Sequence, residues 1–221
     1  VLRAAGLLQA KAVVVLDPEA TELSADEIAA LARAVLEGAD YAKPVVPRTA
    51  ESGPLVTQLV RPLLGAAFGR TLLEPIDTQL ACSGAFAKAA LAADVFRDDD
   101  AHVGVDVWLS ALALGTKRSL TQVALGAPVA RTRRHSASFT ESFAQVTTAL
   151  LACLAAAPEA WVDEAAGEPV PIAGDAGAPL SQGRGFSSEA LARDFAEGAE
   201  ALRPLFAQVL DEALAGAVAE A

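Results

Sequence analysis

A short, uninterrupted apolar run near the start of the chain restricts the fold more than any other feature. Residues 12–16 read Ala-Val-Val-Val-Leu and are followed directly by Asp17 and Pro18. A run of β-branched residues without alternating polar positions is typical of a strand buried on both faces, as in a parallel sheet. The run therefore predicts a sheet that has other elements packed on both of its faces.

The segment after this strand carries the signals of a helix. Ser24 and Glu27 have the spacing of a capping box, and Gly38 stands where a glycine commonly ends a helix. Similar patterns predict strands at 41–46 and 119–125, and helices at 54–68, 86–92, 105–114 and 138–154. A final helical pair begins at Ser188, with Pro204 marking the kink between its members. The alternation of strands and helices predicts an α/β fold.

Length and composition suggest one large domain with an appendage. The chain has 221 residues, of which 53% are hydrophobic, enough to bury a sizeable core. We predict a catalytic domain at 1–160, a loop or linker rich in Gly, Pro and Asp at 161–185, and a helical appendage at 186–221. The chain contains no Met, although ordinary usage predicts about four or five. We therefore expect it to be a piece of a longer protein.

Charge and cysteine content bear on partners and compartment. The formal net charge of −11 argues against nonspecific nucleic-acid binding, which needs clustered Lys and Arg. No apolar stretch reaches the roughly 18 residues of a membrane span, and no signal peptide opens the chain. Cys82 and Cys153 have no metal-binding spacing and are interpreted as buried thiols. These features predict a cytoplasmic protein.

The acidic turn after the first strand is the first candidate site. Asp17 and Glu19 flank Pro18, and open α/β sheets bind their ligands in the loops that follow parallel strands. Two carboxylates separated by one residue can share Mg²⁺ or Mn²⁺, which prefer oxygen ligands and bridge diphosphates. Alternatively, Asp17 only ends the strand and Glu19 faces solvent.

Two further candidates lie at predicted helix starts. The turn Ser83-Gly84-Ala85-Phe86 could offer backbone N–H groups to an anion or a sugar hydroxyl, or it could be an ordinary helix start. Asp106 lies among apolar residues, so its carboxylate needs a partner. A general base, a binder of acceptor hydroxyls and a structural hydrogen-bonding group all remain open for Asp106.

A basic cluster follows the strand predicted at 119–125. Arg131, Arg133 and Arg134 stand beside His135. Arg presents a bidentate fork to phosphates and carboxylates, so the cluster could bind an anion. It could equally form a solvated loop.

Four of these segments together resemble family-2-like GT-A glycosyltransferases that make glucosylglycerate, mannosylglycerate and glucosyl-3-phosphoglycerate. The first is V-V-V-L-D-P-E, which resembles the strand leading into the D-x-D motif of that group. The others are L-V-R-P-L-L-G-A-A-F-G at 59–69 with S-G-A-F-A at 83–87, D-D-D-A-H-V-G-V-D-V-W-L at 98–109, and Q-V-A-L-G-A-P-V-A at 122–130 with the helix after it. The resemblance covers about residues 1–160.

The resemblance implies a partial GT-A fold that lacks its first nucleotide-binding strands and has extra C-terminal helices. It implies transfer of a sugar from a nucleotide diphosphate sugar to a small hydroxy acid, dependent on Mg²⁺ or Mn²⁺. By motif, Asp17 and Glu19 bind the metal, and His135 is the nearest substitute for a metal-binding His. The segment from Ser83 through Gly84 to Phe86 borders the sugar and acceptor, and Asp106 binds their hydroxyls. Arg131 is the basic residue expected to meet an acceptor carboxylate or phosphate.

The sequence departs from that group in ways that leave other functions open. The third D-x-D position is Glu19, Ala85 stands where relatives carry an acid, and Ala130 stands where they carry a metal-binding His. A catalytically silent GT-A-like binding or scaffold domain and an unrelated α/β binding domain are the alternatives. The apolar faces of the final helices predict a homodimer, unless they pack on their own domain.

Overall fold

The structure, a computed structural model, describes residues 1–18, 23–47, 53–93, 101–125, 139–162, 167–175 and 188–220. The chain forms two compact units. Among the described residues, the first contains those from 1 to 175 and the second contains 188–220. Within the segment predicted as a linker, Glu168–Pro169 and Ile172–Ala173 form two short strands that belong to the first unit.

The first unit is built on a five-stranded mixed sheet. Its strands lie in the order β1-β4-β2-β5-β7 and comprise Ala12–Val15, Leu80–Ser83, Tyr41–Val45, Leu120–Ala124 and Ile172–Ala173. β4 is antiparallel to both β1 and β2, whereas β2, β5 and β7 pair in parallel. Four strands therefore run in one direction and β4 alone runs against them. A separate pair joins β3, Arg70–Thr71, to β6, Glu168–Pro169.

Helices cover both faces of this sheet. α2, Ala25–Leu36, packs on one face, where Leu31 and Val35 meet Ala42, Ala81 and Val123. The opposite face carries α1, α3, α4, α5 and α6, which span Leu2–Leu7, Arg61–Phe68, Gly84–Ala92, Ala101–Gly115 and Phe139–Ala156. The predicted α/β class is confirmed.

Alternate residues of each strand supply the two cores. Val13, Tyr41 and Cys82 belong to the core on the α1 face, while their neighbours Ala42 and Ala81 belong to the core on the α2 face. This alternation explains why the strand sequences are apolar at nearly every position.

Local signals set several helix ends, and the capping box predicted at Ser24 is confirmed. Ser24 and Glu27 form both hydrogen bonds of a capping box at the start of α2. Pro62 lies in the first turn of α3, where its missing N–H costs no hydrogen bond, and a π-helical segment, Leu55–Val60, precedes it. Gly69 ends α3 in the left-handed conformation, with φ of 71°.

The second unit contains α7, Ser188–Val209, and α8, Glu212–Glu220. The prediction that Pro204 separates the final helices is wrong, because Pro204 lies inside α7. The break comes after Val209 instead, where the Asp211 carboxylate accepts a hydrogen bond from the Leu214 N–H at 2.9 Å and starts α8. None of the helices in the described part of the chain combines the length and apolar character that a membrane crossing requires.

Candidate functional site

Several side chains that could bind a ligand or take part in a reaction lie at one edge of the sheet. The carboxyl ends of β1, β2, β5 and β7 lie at this edge, and β4 enters the sheet there because it runs the opposite way. Val15 at the end of β1 is paired with Leu80 at the start of β4. The residues just after β1 and just before β4 therefore lie side by side, and ligands of open α/β sheets bind at this kind of edge.

Asp17 and Thr78 meet at this edge. The Thr78 hydroxyl donates a hydrogen bond to Oδ2 of Asp17 at 3.2 Å, although the two residues are 61 positions apart. Asp17 is half-buried and Thr78 is exposed. Asp17 follows a strand, as predicted, but the prediction that this strand is buried on both faces in a parallel arrangement is wrong, because only Val13 of β1 is buried and β1 pairs antiparallel with β4. The role of Thr78 was not predicted.

Thr78 belongs to a loop, residues 72–79, that is buried almost throughout. The backbone N–H and C=O groups of a buried loop need hydrogen-bond partners. Here side chains from four other elements provide them. Three of these side chains form hydrogen bonds with Leu73 and Pro75. The Arg61 guanidinium donates to the Leu73 carbonyl, with Nε at 3.1 Å, the Gln122 amide oxygen accepts from the Leu73 N–H at 2.6 Å, and the Ser110 hydroxyl donates to the Pro75 carbonyl at 2.8 Å.

A lysine inside the sheet completes these contacts. Lys43 of β2 is fully buried, and its ammonium group donates to the Asp77 carbonyl. The Asp77 carboxylate in turn accepts from the Gln79 N–H at 2.9 Å, which fixes the turn that carries Thr78. Thr78 is thus held beside Asp17 by a polar network that reaches through the first unit.

A cavity of about 400 Å³ opens beside Thr78 on the α1 face of the sheet. Asp106 of α5 and Phe86 of α4 line the same cavity. Asp106 is half-buried, and its negative charge adds to the effect of burial in raising the pKa of Tyr41 above the ordinary range. Asp106 therefore shares a cavity with Thr78, the residue whose hydroxyl bonds to Asp17.

The turn at Ser83 is placed differently from the prediction. Ser83 pairs with Ala12 at the start of β1, so it lies at the end of β4 remote from Asp17. Its hydroxyl accepts from the Phe86 N–H at 3.0 Å and donates to Asp40 at 2.9 Å. The structure therefore shows the ordinary helix start that was the alternative interpretation of this turn.

Gly84 has a packing role in the same turn. A Cβ atom at this position would lie 2.2 Å from the Ala10 carbonyl oxygen, and the Gly84 N–H donates to the Lys11 carbonyl at 3.3 Å. The N–H groups of Gly84 and Phe86 are both used inside the protein, which leaves neither for an anion. Phe86 still reaches the cavity, where its ring packs on Tyr41 with centroids 4.9 Å apart.

The remaining predicted site residues, Glu19, Arg131 and His135, lie outside the described residues. Within the described ranges, no three His, Cys, Asp or Glu side chains are grouped as a metal site. Asp17 supplies a carboxylate, and carboxylate oxygens are among the ligands that Mg²⁺ and Mn²⁺ take.

Sequence reasoning missed the loop at 72–79. The signal was present, since Glu74, Asp77 and Gln79 are polar residues packed closely before an apolar strand. Lys43 within the apolar segment Tyr41–Val45 was a second signal, because a lysine is rarely buried unless it has partners. Both clues needed the knowledge that β4 inserts between β1 and β2.

Comparison with known proteins assigns no family to the chain. No protein-family model matches it, and no curated protein matches it at a significant level.

Proposed function

We propose that this chain is part of a metal-dependent glycosyltransferase of the GT-A type, which moves a sugar from a nucleotide diphosphate sugar to a small hydroxy-acid acceptor. The observation that carries the proposal is the convergence of Asp17, Thr78 and Asp106. Thr78 bonds Asp17 and also lines one cavity together with Asp106. A carboxylate suited to a cation thus lies next to a cavity that has a candidate base.

The mixed sheet supports the GT-A part of the proposal. Helices cover both faces of a sheet in which only β4 runs against the other four strands, and this α/β architecture is compatible with a GT-A domain. The position of Asp17, two residues after the end of β1, agrees with the D-x-D strand that the sequence resembles. Free, buried Cys82 and Cys153 suit a reducing compartment, so the proposed enzyme is cytoplasmic.

Each residue has a role in the proposed reaction. Asp17, with Glu19 by sequence, would hold Mg²⁺ or Mn²⁺, which supplies electrostatic stabilisation of the departing nucleoside diphosphate. Thr78 orients the Asp17 carboxylate. Asp106 accepts the proton of the acceptor hydroxyl as its oxygen bonds to the anomeric carbon.

Calorimetry of the full-length protein tests the proposal. UDP-, GDP- and ADP-sugars are titrated with and without Mn²⁺, and we expect one donor to bind only with the metal. Asp17→Asn should abolish the donor binding that requires Mn²⁺. Asp26→Asn, at an exposed position on α2, should leave that binding unchanged. Absence of heat with every donor would refute the proposal.

Turnover separates a transferase from a silent binding domain. Asp106→Asn should retain donor binding but lower the rate of sugar transfer by about 10²–10⁴-fold, the usual contribution of a general base. Metal-dependent donor binding by the unmodified protein, without transfer to any hydroxy acid, would instead favour the catalytically silent alternative.

A further inference from the structure

The cavity beside Thr78 has walls that do not suit a fully hydrophilic acceptor. Hydrocarbon side chains from the sheet and from α4 and α5 form most of the lining. These side chains are Val15, Leu80, Phe86, Leu91, Val105 and Leu109. A sugar-like or glycerate-like hydroxyl placed against them would lose its water without gaining a hydrogen bond. The walls therefore select a ligand that has a hydrocarbon part.

The polar groups of the cavity define the rest of the ligand. Among the lining residues, Arg3, Thr78 and Asp106 carry nitrogen or oxygen in their side chains. Thr78 donates its proton to Asp17, so its oxygen can only accept from a ligand, and the Asp106 carboxylate also accepts. A ligand hydroxyl complements these two residues as donor, and a ligand carboxylate complements the Arg3 guanidinium.

We infer that the acceptor is a hydroxy acid with a medium-length hydrocarbon chain. This inference rests on the proposed transferase function and narrows its acceptor. The hydroxyl oxygen forms a bond to the anomeric carbon of the donor while the bond from that carbon to the diphosphate breaks. The hydroxyl proton passes to Asp106, and the nucleoside diphosphate leaves with the electron pair.

A series of acceptors of increasing length tests the inference on the full-length protein. Glycerate, 3-hydroxybutyrate, 3-hydroxyhexanoate and 3-hydroxyoctanoate are titrated by calorimetry without nucleotide sugar, below their micelle concentrations. Affinity should rise about fourfold for each added methylene until the cavity is filled. An affinity that is flat or falls along the series would overturn the inference.

Two analogues of the longest acid examine its polar ends. Octanoate lacks the hydroxyl and 2-octanol lacks the carboxylate, and each should bind at least about tenfold more weakly than 3-hydroxyoctanoate. If octanoate binds as tightly as 3-hydroxyoctanoate, Asp106 and Thr78 do not recognise the ligand hydroxyl. Equal binding of 2-octanol would show that Arg3 does not recognise the ligand carboxylate. Either result would overturn the assigned ligand class.

Paired variants locate the binding in this cavity. Leu91→Trp places an indole at the wall and should abolish the dependence on chain length, whereas Leu36→Trp at an exposed position of α2 should not. Arg3→Gln should weaken 3-hydroxyoctanoate but not 2-octanol, and Arg33→Gln on α2 is its exposed control. Circular dichroism confirms that each variant is folded. Unchanged binding by both folded cavity variants would overturn the inference.

Transfer assays distinguish this inference from the proposed function. Transfer to glycerate at the same rate as to 3-hydroxyoctanoate would overturn the inference and support the transferase. Chain-length-dependent binding without transfer from any donor would overturn the transferase and leave the ligand class of the cavity supported.

Discussion

Lys43 shows how a single residue joins the core to the candidate site. It is fully buried in β2, and its ammonium group donates to the backbone of the loop that carries Thr78. A buried cation is tolerated only when hydrogen bonds and nearby charges replace its water. Lys43 therefore stabilises the loop rather than the sheet alone.

Replacing Lys43 with Met should destabilise the protein by about 3 kcal/mol, because buried polar groups of the loop lose their donor. Urea unfolding followed by circular dichroism measures the change. Lys88→Met, at an exposed position of α4, is the matched control and should change stability by less than about 0.5 kcal/mol. Equal effects of the two variants would show that Lys43 has no special role.

The two thiols predict a loss of stability at alkaline pH. Burial raises the pKa of Cys82 and of Cys153 to about 12, from 9.0. Both pKa values are higher in the folded state than in the unfolded state. The stability that the protonated thiols contribute is therefore fully present below pH 9 and is lost as the pH rises towards 12. Each thiol should lower the unfolding free energy by about 1.4 kcal/mol per pH unit in that window.

Urea midpoints measured between pH 7 and pH 10.5 check this expectation. Tyr41 adds to the loss above pH 10, since burial raises its pKa as well. The double variant Cys82→Ala, Cys153→Ala should therefore show a shallower decline than the unmodified protein. Identical slopes would contradict the assignment to the thiols.

At the scale of elements, α5 and α6 pack closely through a glycine. A Cβ atom on Gly104 would lie 2.3 Å from Cβ of Ala149 on α6. This contact brings the two helices together behind Asp106, two residues further along α5. The position of Asp106 thus depends on the absence of a side chain at residue 104.

Gly104→Ala should destabilise the protein by about 1–3 kcal/mol, because the added methyl group forces α5 and α6 apart. Gly198→Ala in α7 is the control, since nothing lies within 4 Å of a Cβ there. That change should be neutral or stabilise α7 by up to about 1 kcal/mol. Thermal unfolding of both variants measures the difference, and a neutral Gly104→Ala would contradict the close packing.

Sequence patterns predicted the elements better than their pairing. The apolar run at 12–16 and the capping box at Ser24 determine β1 and α2 locally, and both elements are present. The insertion of β4 between β1 and β2 depends on contacts distant in sequence, which no local pattern encodes. No strand was predicted at 80–83, so β4 and the neighbouring Thr78 were both missed. β6 and β7 were missed because a run of two residues shows no periodicity.

At the scale of the whole molecule, α7 presents an exposed apolar stripe. Phe195, Leu202 and Val209 are 50%, 47% and 65% exposed and recur every seven residues. A seven-residue spacing of apolar residues is typical of helices that pair. The homodimer predicted from the sequence is therefore expected to form through this stripe.

Leu202→Asp should convert the expected dimer to a monomer, because the charge would be buried at the centre of the stripe. Sedimentation equilibrium of the full-length protein measures the mass. Leu36→Asp, at an exposed position of α2, is the matched control and should leave the mass unchanged. A monomeric unmodified protein would contradict the expectation.

Ligand recognition by the cavity requires that the first unit is fully folded. The loop that carries Thr78 is held in place by side chains of Arg61, Gln122, Ser110 and Lys43. These residues come from α3, β5, α5 and β2, so the mouth of the cavity does not exist until distant parts of the first unit have assembled. A partly folded chain should therefore show no residual affinity for a ligand of the cavity. Ligand binding would then protect the whole first unit against unfolding, since it selects only the assembled state.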